Sequence, residues 1–205
     1  TIPFKDQAYY FADERDEVSD ICQCSNTLWY DDGKIKAFNT DGQGFVNDLK
    51  KKKIAVRGMR VLILGTGGSA RSIINSMSSE GIESISILSR TQSKVDRIIE
   101  NFSNRGKITH HSDSETYELV INTTPISMSN TEISFPESII MSTTISYDLF
   151  YSQKQTRFQK WSLDKGASLA LDGIGMLINQ AALSYEIWNK FSPDTERVEQ
   201  LIRSL

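Results

Sequence analysis

The chain has 205 residues, with 23 Lys and Arg against 26 Asp and Glu and a formal net charge of −3. That length suffices for a sizeable core in one or two domains. The near-balanced charge, scattered basic residues and lack of a base-stacking aromatic pattern argue against nucleic acid. No apolar run is long enough to span a membrane and no signal-peptide pattern stands at the start, so a cytoplasmic protein is expected.

Residues 6–20 carry Ala8, Tyr9, Phe11, Ala12 and Val18 at roughly helical spacing. Cys22 and Cys24 form a C-x-C without further metal ligands in sequence reach, since His110 and His111 lie far along the chain. Two reduced, partly buried thiols suit this pattern better than a metal site. Residues 26–30 and 34–38 flank Asp31-Asp32-Gly33 and read as a β-hairpin. After Asp41, the residues Phe45, Val46 and Leu49 fall on one helical face. The basic run Lys50-Lys51-Lys52-Lys53 reads as a solvated helix end, where cations complement the dipole. This first block ends at Gly58.

The second block alternates. Strands are expected at 61–65, 84–88, 107–110, 119–122, 143–150 and 167–171, and helices at 68–79, 92–102 and 154–165. Such alternation implies an α/β fold, a parallel sheet covered on both faces. Ligands on these sheets bind beyond the carboxyl ends of the strands. Gly65, Ser89-Arg90, Thr123-Thr124-Pro125, Tyr151 and Asp172-Gly173 cluster there. A long amphipathic helix over 175–188 follows, Pro193 interrupts, and a short helix is expected over 195–205.

The run Arg60-Val61-Leu62-Ile63-Leu64-Gly65-Thr66-Gly67-Gly68-Ser69-Ala70-Arg71 leads an apolar strand into a glycine turn that opens a helix. That order suits a dinucleotide pyrophosphate: Gly65 for the tight turn, Gly67 for backbone approach and Ala70 for close helix–strand packing. The first N–H groups of the helix face the negative charge. About 20 residues further on, a NAD site would place an Asp or Glu for the ribose 2′-hydroxyl. Here the chain reads Ser89-Arg90-Thr91-Gln92-Ser93-Lys94. A carboxylate would repel a 2′-phosphate, whereas Arg90 holds one through charge-assisted hydrogen bonds worth roughly 1.5–3 kcal/mol each. NADP is therefore expected over NAD. The plainer alternative is that Ser89-Arg90-Thr91 only caps the following helix.

A nicotinamide cofactor carries the hydride, so the protein must orient the substrate and handle one proton. Lys5 and Asp41 stand at loop-to-helix junctions in the first block. A Lys–Asp pair suits ketone reduction: the ammonium stabilises the developing alkoxide and supplies the proton, while the carboxylate holds the ammonium and a substrate hydroxyl. Taken singly, Asp41 also fits a helix cap and Lys5 a surface lysine.

Eight ordered motifs resemble the shikimate dehydrogenase family. They are Thr1-Ile2-Pro3-Phe4-Lys5, Ser25-Asn26-Thr27, Asn39-Thr40-Asp41-Gly42, the Gly65–Arg71 turn, Ser89-Arg90-Thr91, Ile121-Asn122-Thr123-Thr124-Pro125, Tyr147-Asp148-Leu149-Phe150-Tyr151 and the run from Asp172 to Ala182. The resemblance spans essentially the whole chain. It implies a Rossmann-like doubly wound NADP-binding domain over 58–174. A smaller α/β substrate domain, over 1–57 and 175–205, completes the expected fold. The implied reaction is reversible, NADPH-dependent reduction of 3-dehydroshikimate to shikimate in aromatic amino-acid and chorismate biosynthesis. The implied catalytic pair is Lys5 and Asp41. Thr1, Asn26, Tyr151 and Gln180 would contact substrate. Gly65, Gly67, Gly68, Ser69, Ala70, Arg71, Ser89, Arg90, Thr91, Lys94, Thr123, Gly173 and Met176 would surround NADP. No metal is implied, and oligomeric state is left open, a homodimer included.

Four departures accompany the resemblance. Ser89 stands where the family usually has Asn. Gln23-Cys24-Ser25 replaces Gly-Ala-Val, and Ser127 stands where Gly is common. The family also has a further βαβ portion ahead of Lys5, with a Ser-x-Ser motif for the substrate carboxylate. A chain of only these 205 residues is therefore expected to bind NADP but to bind shikimate poorly. Two other readings are a NAD-preferring quinate/shikimate dehydrogenase, which Ser89-Arg90-Thr91 opposes, and a non-catalytic NADP-binding module, which would not need Lys5 with Asp41.

Overall fold

A computed structural model describes residues 1, 3–129 and 132–204. Ile2 of the first motif and Leu205 of the last expected helix lie outside the described residues. The chain forms two compact units: Thr1–Ala55 with Arg71–Met77 and Gly175–Leu205, and Val56–Ala70 with Ser78–Ile174. Residues 71–77, which the sequence groups with the second block, count with the first unit.

In the first unit, helix α1 (Lys5–Phe11) is followed by strand β1 (Glu14–Arg15) and helix α2 (Glu17–Cys22). The single helical pattern expected over 6–20 is thus broken in the middle, and two acids explain why. Asp13 pairs with Ile35 through its own N–H and through its carboxylate, which accepts from the Ile35 N–H at 2.8 Å. Asp16 then caps α2 by accepting from the Ser19 N–H at 2.8 Å. Such side chains offer the backbone an alternative to helix continuation. Strands β2 (Thr27–Asp31) and β3 (Lys34–Phe38) form the expected hairpin, with Asp32 and Gly33 both at positive φ, as a two-residue turn requires. Their sheet runs β1-β3-β2.

Helix α3 (Asp41–Lys51) buries Phe45, Val46 and Leu49, as its spacing predicts. Lys50, Lys51 and Lys53 at its end are exposed as expected, whereas Lys52 is partly withdrawn and donates to the fully buried Asp48 at 2.5 Å. Cys22 and Cys24 are fully buried thiols, and burial pushes both above the ordinary thiol range.

The second unit holds a six-stranded sheet, all of whose pairings are parallel. Its strands are β4 (Arg60–Leu64), β5 (Ser84–Leu88), β6 (Ile108–His110), β7 (Leu119–Asn122), β8 (Ile145–Asp148) and β9 (Leu169–Leu171). Their order is β6-β5-β4-β7-β8-β9, the doubly wound arrangement in which direction reverses between the first and fourth strands. Val61 to Leu64 of β4 are all fully buried, as a strand covered on both faces demands. Leu62, Leu64, Val120, Tyr117 and Phe158 form the core of this unit. Helix α4 (Gly68–Met77) starts here; α5 (Gln92–Asn101) packs on β6, and α6 (Arg157–Asp164) on β8 and β9. Two short 3₁₀ turns, Pro125–Met128 and Glu137–Ile139, lie in the connection from β7 to β8 and have no periodic signal in the sequence. The first unit is completed by α7 (Ile174–Asn189, from Gly175 on) and α8 (Thr195–Arg203).

Asp148, fully buried at the end of β8, accepts from four donors: Ser127 Oγ at 2.6 Å, Thr156 Oγ1 at 2.7 Å, Asn122 Nδ2 at 2.9 Å and the Phe150 N–H at 3.2 Å. Burial raises its carboxyl above the ordinary range, and these bonds oppose the rise. Ser127 also accepts from the Phe158 N–H at 3.2 Å, so its hydroxyl ties the first 3₁₀ turn to α6. Ser127→Ala removes a donor from a buried carboxylate and an acceptor from a buried amide. It is expected to cost about 1–3 kcal/mol, a fall of roughly 2–10 °C in a thermal unfolding midpoint. An unchanged midpoint would show the hydroxyl to be dispensable.

Candidate active site

Lys5 opens α1 and Asp41 opens α3. Lys5 Nζ lies 2.5 Å from Asp41 Oδ2, with side chains 11% and 4% exposed. Lys5 is therefore no surface lysine. Nor does Asp41 act as the cap of its helix: Thr40 holds that position, and its side chain makes no capping bond. Asn26, just ahead of β2, donates from Nδ2 to Asp41 Oδ1 at 3.1 Å and to Gln180 Oε1 at 2.8 Å. Gln180 comes from α7, and Gly44 is what lets α7 approach α3. A Cβ on Gly44 would stand 2.6 Å from the Gln180 backbone nitrogen, so the weak helix propensity of Gly is accepted there. The result is a buried ion pair with two carboxamides beside it.

Sequence reasoning missed the hydroxyls behind this cluster. Thr27, Thr40 and Ser184 are all buried and linked: Thr27 Oγ1 stands 2.6 Å and Thr40 Oγ1 3.1 Å from Ser184 Oγ. The available signal was a Ser one turn after Gln180, on the same face of the helix.

In the second unit, the glycine turn sits where the sheet order reverses. Gly65 follows β4 with φ of +110°, and a Cβ there would lie 2.6 Å from Thr123 Oγ1, just beyond β7. Thr123 in turn donates to the Leu64 carbonyl at 2.7 Å. Gly67 differs: its φ is not left-handed, and no protein atom lies within 4 Å of where a Cβ would project. Nothing in the protein itself demands glycine at that point, whereas a pyrophosphate seated against the backbone does. Beyond β5, Arg90, Thr91 and Lys94 are exposed. Thr91 holds the N-cap position of α5 without a side-chain capping bond. Among the described residues, neither Arg90 nor Lys94 has a carboxylate partner within ion-pair distance. The turn and this cationic loop fit NADP.

Residues 48–149 match the family described as shikimate / quinate 5-dehydrogenase, and residues 173–203 its C-terminal domain. The NADP(+)-dependent shikimate dehydrogenase of Shewanella halifaxensis is 37% identical over 208 residues, covering 100% of this chain and 75% of that protein. The chain belongs to the shikimate dehydrogenase family. Its fold agrees with those of family members. The shikimate dehydrogenase of Aquifex aeolicus superposes with a TM-score of 0.86 at 26% identity, over 99% of this chain and 75% of that one. That of Thermus thermophilus, solved in complex with NADP(H) and shikimate, gives 0.86 at 25% identity, over 100% and 77%.

The other residues expected to act in this shikimate dehydrogenase family member are dispersed between its units. Thr1 is exposed in the first unit, and its carbonyl accepts from the Phe4 N–H at 2.6 Å. Arg71 also lies in the first unit, where its guanidinium donates to Asp6 at 2.5 Å and to the Gln23 carbonyl at 3.3 Å. Met176 is buried there. Tyr151 is 44% exposed in the second unit and stacks on Phe150. Gly173 is buried there too: a Cβ would stand 2.1 Å from the Leu149 carbonyl oxygen. Ser89 offers its carbonyl to Gln92 Nε2 at 3.3 Å, and Ala70 is fully buried.

Proposed function

We propose that this protein is a shikimate dehydrogenase, reducing 3-dehydroshikimate to shikimate with NADPH and running the reverse reaction with NADP. The observation that carries the reading is the buried Lys5–Asp41 pair with Asn26 and Gln180 beside it. A chain that only bound a nucleotide would have no use for an ion pair so withdrawn from water. In this reading most substrate-facing residues belong to the first unit and most cofactor-facing residues to the second.

Lys5 is the proton-handling group. Its ammonium donates to the carbonyl oxygen under reduction, stabilises negative charge as it develops there, and delivers the proton that yields the hydroxyl. Asp41 holds that ammonium through Oδ2 and leaves Oδ1, already bonded by Asn26, toward a substrate hydroxyl. Asn26 and Gln180 each carry a donor and an acceptor, which suits the vicinal hydroxyls of a cyclic polyol. Exclusion of water around the pair strengthens each of these interactions. Thr1 and Tyr151 complete the substrate contacts. Gly65, Gly67, Gly68, Ser69, Ala70, Arg71, Thr123, Gly173 and Met176 would hold the cofactor's pyrophosphate and nicotinamide portions, and Ser89, Arg90, Thr91 and Lys94 its 2′-phosphate. When bound, the cofactor supplies the hydride.

The test is to incubate the intact protein with shikimate and NADP, follow NADPH absorbance and identify the product. NADPH formation with matching 3-dehydroshikimate is expected. NADP binding without turnover on shikimate would overturn the reading in favour of a binding module.

A further inference from the structure

We propose that Ser184 is a positioning residue for the substrate-facing carboxamides, a role that rests on the function just described. The geometry of the buried hydroxyls supports it. Asn26 is oriented by an unambiguous donor, the Thr40 backbone N–H, which meets Asn26 Oδ1 at 2.9 Å. Nδ2 of Asn26 therefore points at three acceptors that share its two protons: Thr40 Oγ1 at 2.7 Å, Gln180 Oε1 at 2.8 Å and Asp41 Oδ1 at 3.1 Å. Ser184 Oγ lies 2.6 Å from Thr27 Oγ1 and 3.1 Å from Thr40 Oγ1, and it is placed to donate to the Gln180 carbonyl at 3.0 Å. Thr27 Oγ1 also reaches Asn26 Oδ1 at 3.1 Å, and Thr40 Oγ1 the Gln180 carbonyl at 3.0 Å.

The contacts close into a ring: Ser184 with Thr27, Thr27 with Asn26, Asn26 with Thr40, and Thr40 with the carbonyl of Gln180, which Ser184 also meets. Ser184 and Gln180 are one turn apart on α7, so the ring leaves that helix, crosses the start of β2 and the cap of α3, and returns. Ser184, Thr27 and Thr40 are 5%, 1% and 6% exposed, so water does not substitute for a missing member. Both carboxamides are tied to this ring: that of Asn26 is a member, and that of Gln180 accepts from Asn26 Nδ2 at 2.8 Å. Without the Ser184 hydroxyl, Thr27 loses a hydrogen-bond partner and β2 loses a tie to α7. Asn26 and Gln180 then share one less restraint on their separation.

The experiment measures steady-state kinetics of the intact protein with shikimate and NADP for four variants. Ser184→Ala is expected to raise the KM for shikimate about five- to tenfold, the equivalent of one neutral hydrogen bond, with kcat within about twofold and the KM for NADP unchanged. Thr27→Val, which keeps shape and removes the hydroxyl, should give the same change. Thr27→Ser, which keeps the hydroxyl, should behave as the parent. The double variant Ser184→Ala/Thr27→Val should be no worse than either single one, because both open the same ring. An unchanged KM for shikimate in Ser184→Ala overturns the proposal. So does a parallel rise in the KM for NADP with a lowered melting temperature, the mark of general loosening. A parent protein without turnover on shikimate overturns the functional reading and this role with it. A parent that turns over while Ser184→Ala matches its KM overturns the positioning role alone.

Discussion

Lys5→Ala is expected to lower kcat for 3-dehydroshikimate reduction by about 10²–10⁴-fold, the range for a positioned proton donor. The effect should fall on kcat and kcat/KM alike, because the interaction that Lys5 makes with developing alkoxide charge exists only as the reaction proceeds. NADP affinity should be unaffected, since the glycine turn and the Arg90 loop are built from the other unit. Asp41 is 4% exposed at its side chain and loses its cation in this variant, so the protein should also lose stability. Melting temperature is therefore measured alongside, and kinetics are read well below it. Steady-state rates with isothermal titration of NADP check the split. Equal losses in turnover and cofactor affinity would assign Lys5 a structural role.

Arg90→Ala should raise the KM for NADP by roughly 10–150-fold, the equivalent of one charge-assisted hydrogen bond to the 2′-phosphate. The KM for NAD should not change, because NAD lacks the phosphate. The loop is exposed, so the parent protein's KM for NADP should also rise with ionic strength, as exposed charge pairs are screened. Ser89→Asp should move preference toward NAD from the other direction, by placing a carboxylate that accepts from the ribose 2′-hydroxyl of NAD and repels a 2′-phosphate. The ratio of kcat/KM for the two cofactors, measured for all three proteins, decides the matter. A parent ratio favouring NAD would contradict the assignment of Arg90.

Much of the fold was legible because local chemistry and tertiary structure agree. Asp32-Gly33 between alternating runs supplies the positive φ values of a hairpin, and the β4 run into Gly65 carries both the burial and the turn of a doubly wound sheet. The failures lie where tertiary partners override local pattern. Ala8, Tyr9, Phe11 and Val18 suggest a single helix, but Asp13 bonds to Ile35 across the sheet, a partner about 20 residues away that no local window contains. The 3₁₀ turn at Pro125–Met128 is held by Ser127 reaching Asp148, again a distant pairing.

The site shows the same division. Lys5 and Asp41 each had a bland reading in the sequence, and only the fold brings them to 2.5 Å. Asn26 and Gln180 are 154 positions apart; the sequence linked them by family resemblance alone. Ser184 carries no signal of its own in an amphipathic helix until Thr27 and Thr40 are seen against it. Gly67 is legible in the turn pattern, and it is a glycine that no protein neighbour requires.

The most direct measurement is NADPH consumption by the intact protein on addition of 3-dehydroshikimate, with Lys5→Ala run in parallel. Rapid consumption by the parent, stoichiometric with shikimate formed, together with a loss of about two orders of magnitude or more in the variant, is the result the account requires. A parent that binds NADPH yet leaves 3-dehydroshikimate untouched, or a variant that reduces it as fast as the parent, would contradict it.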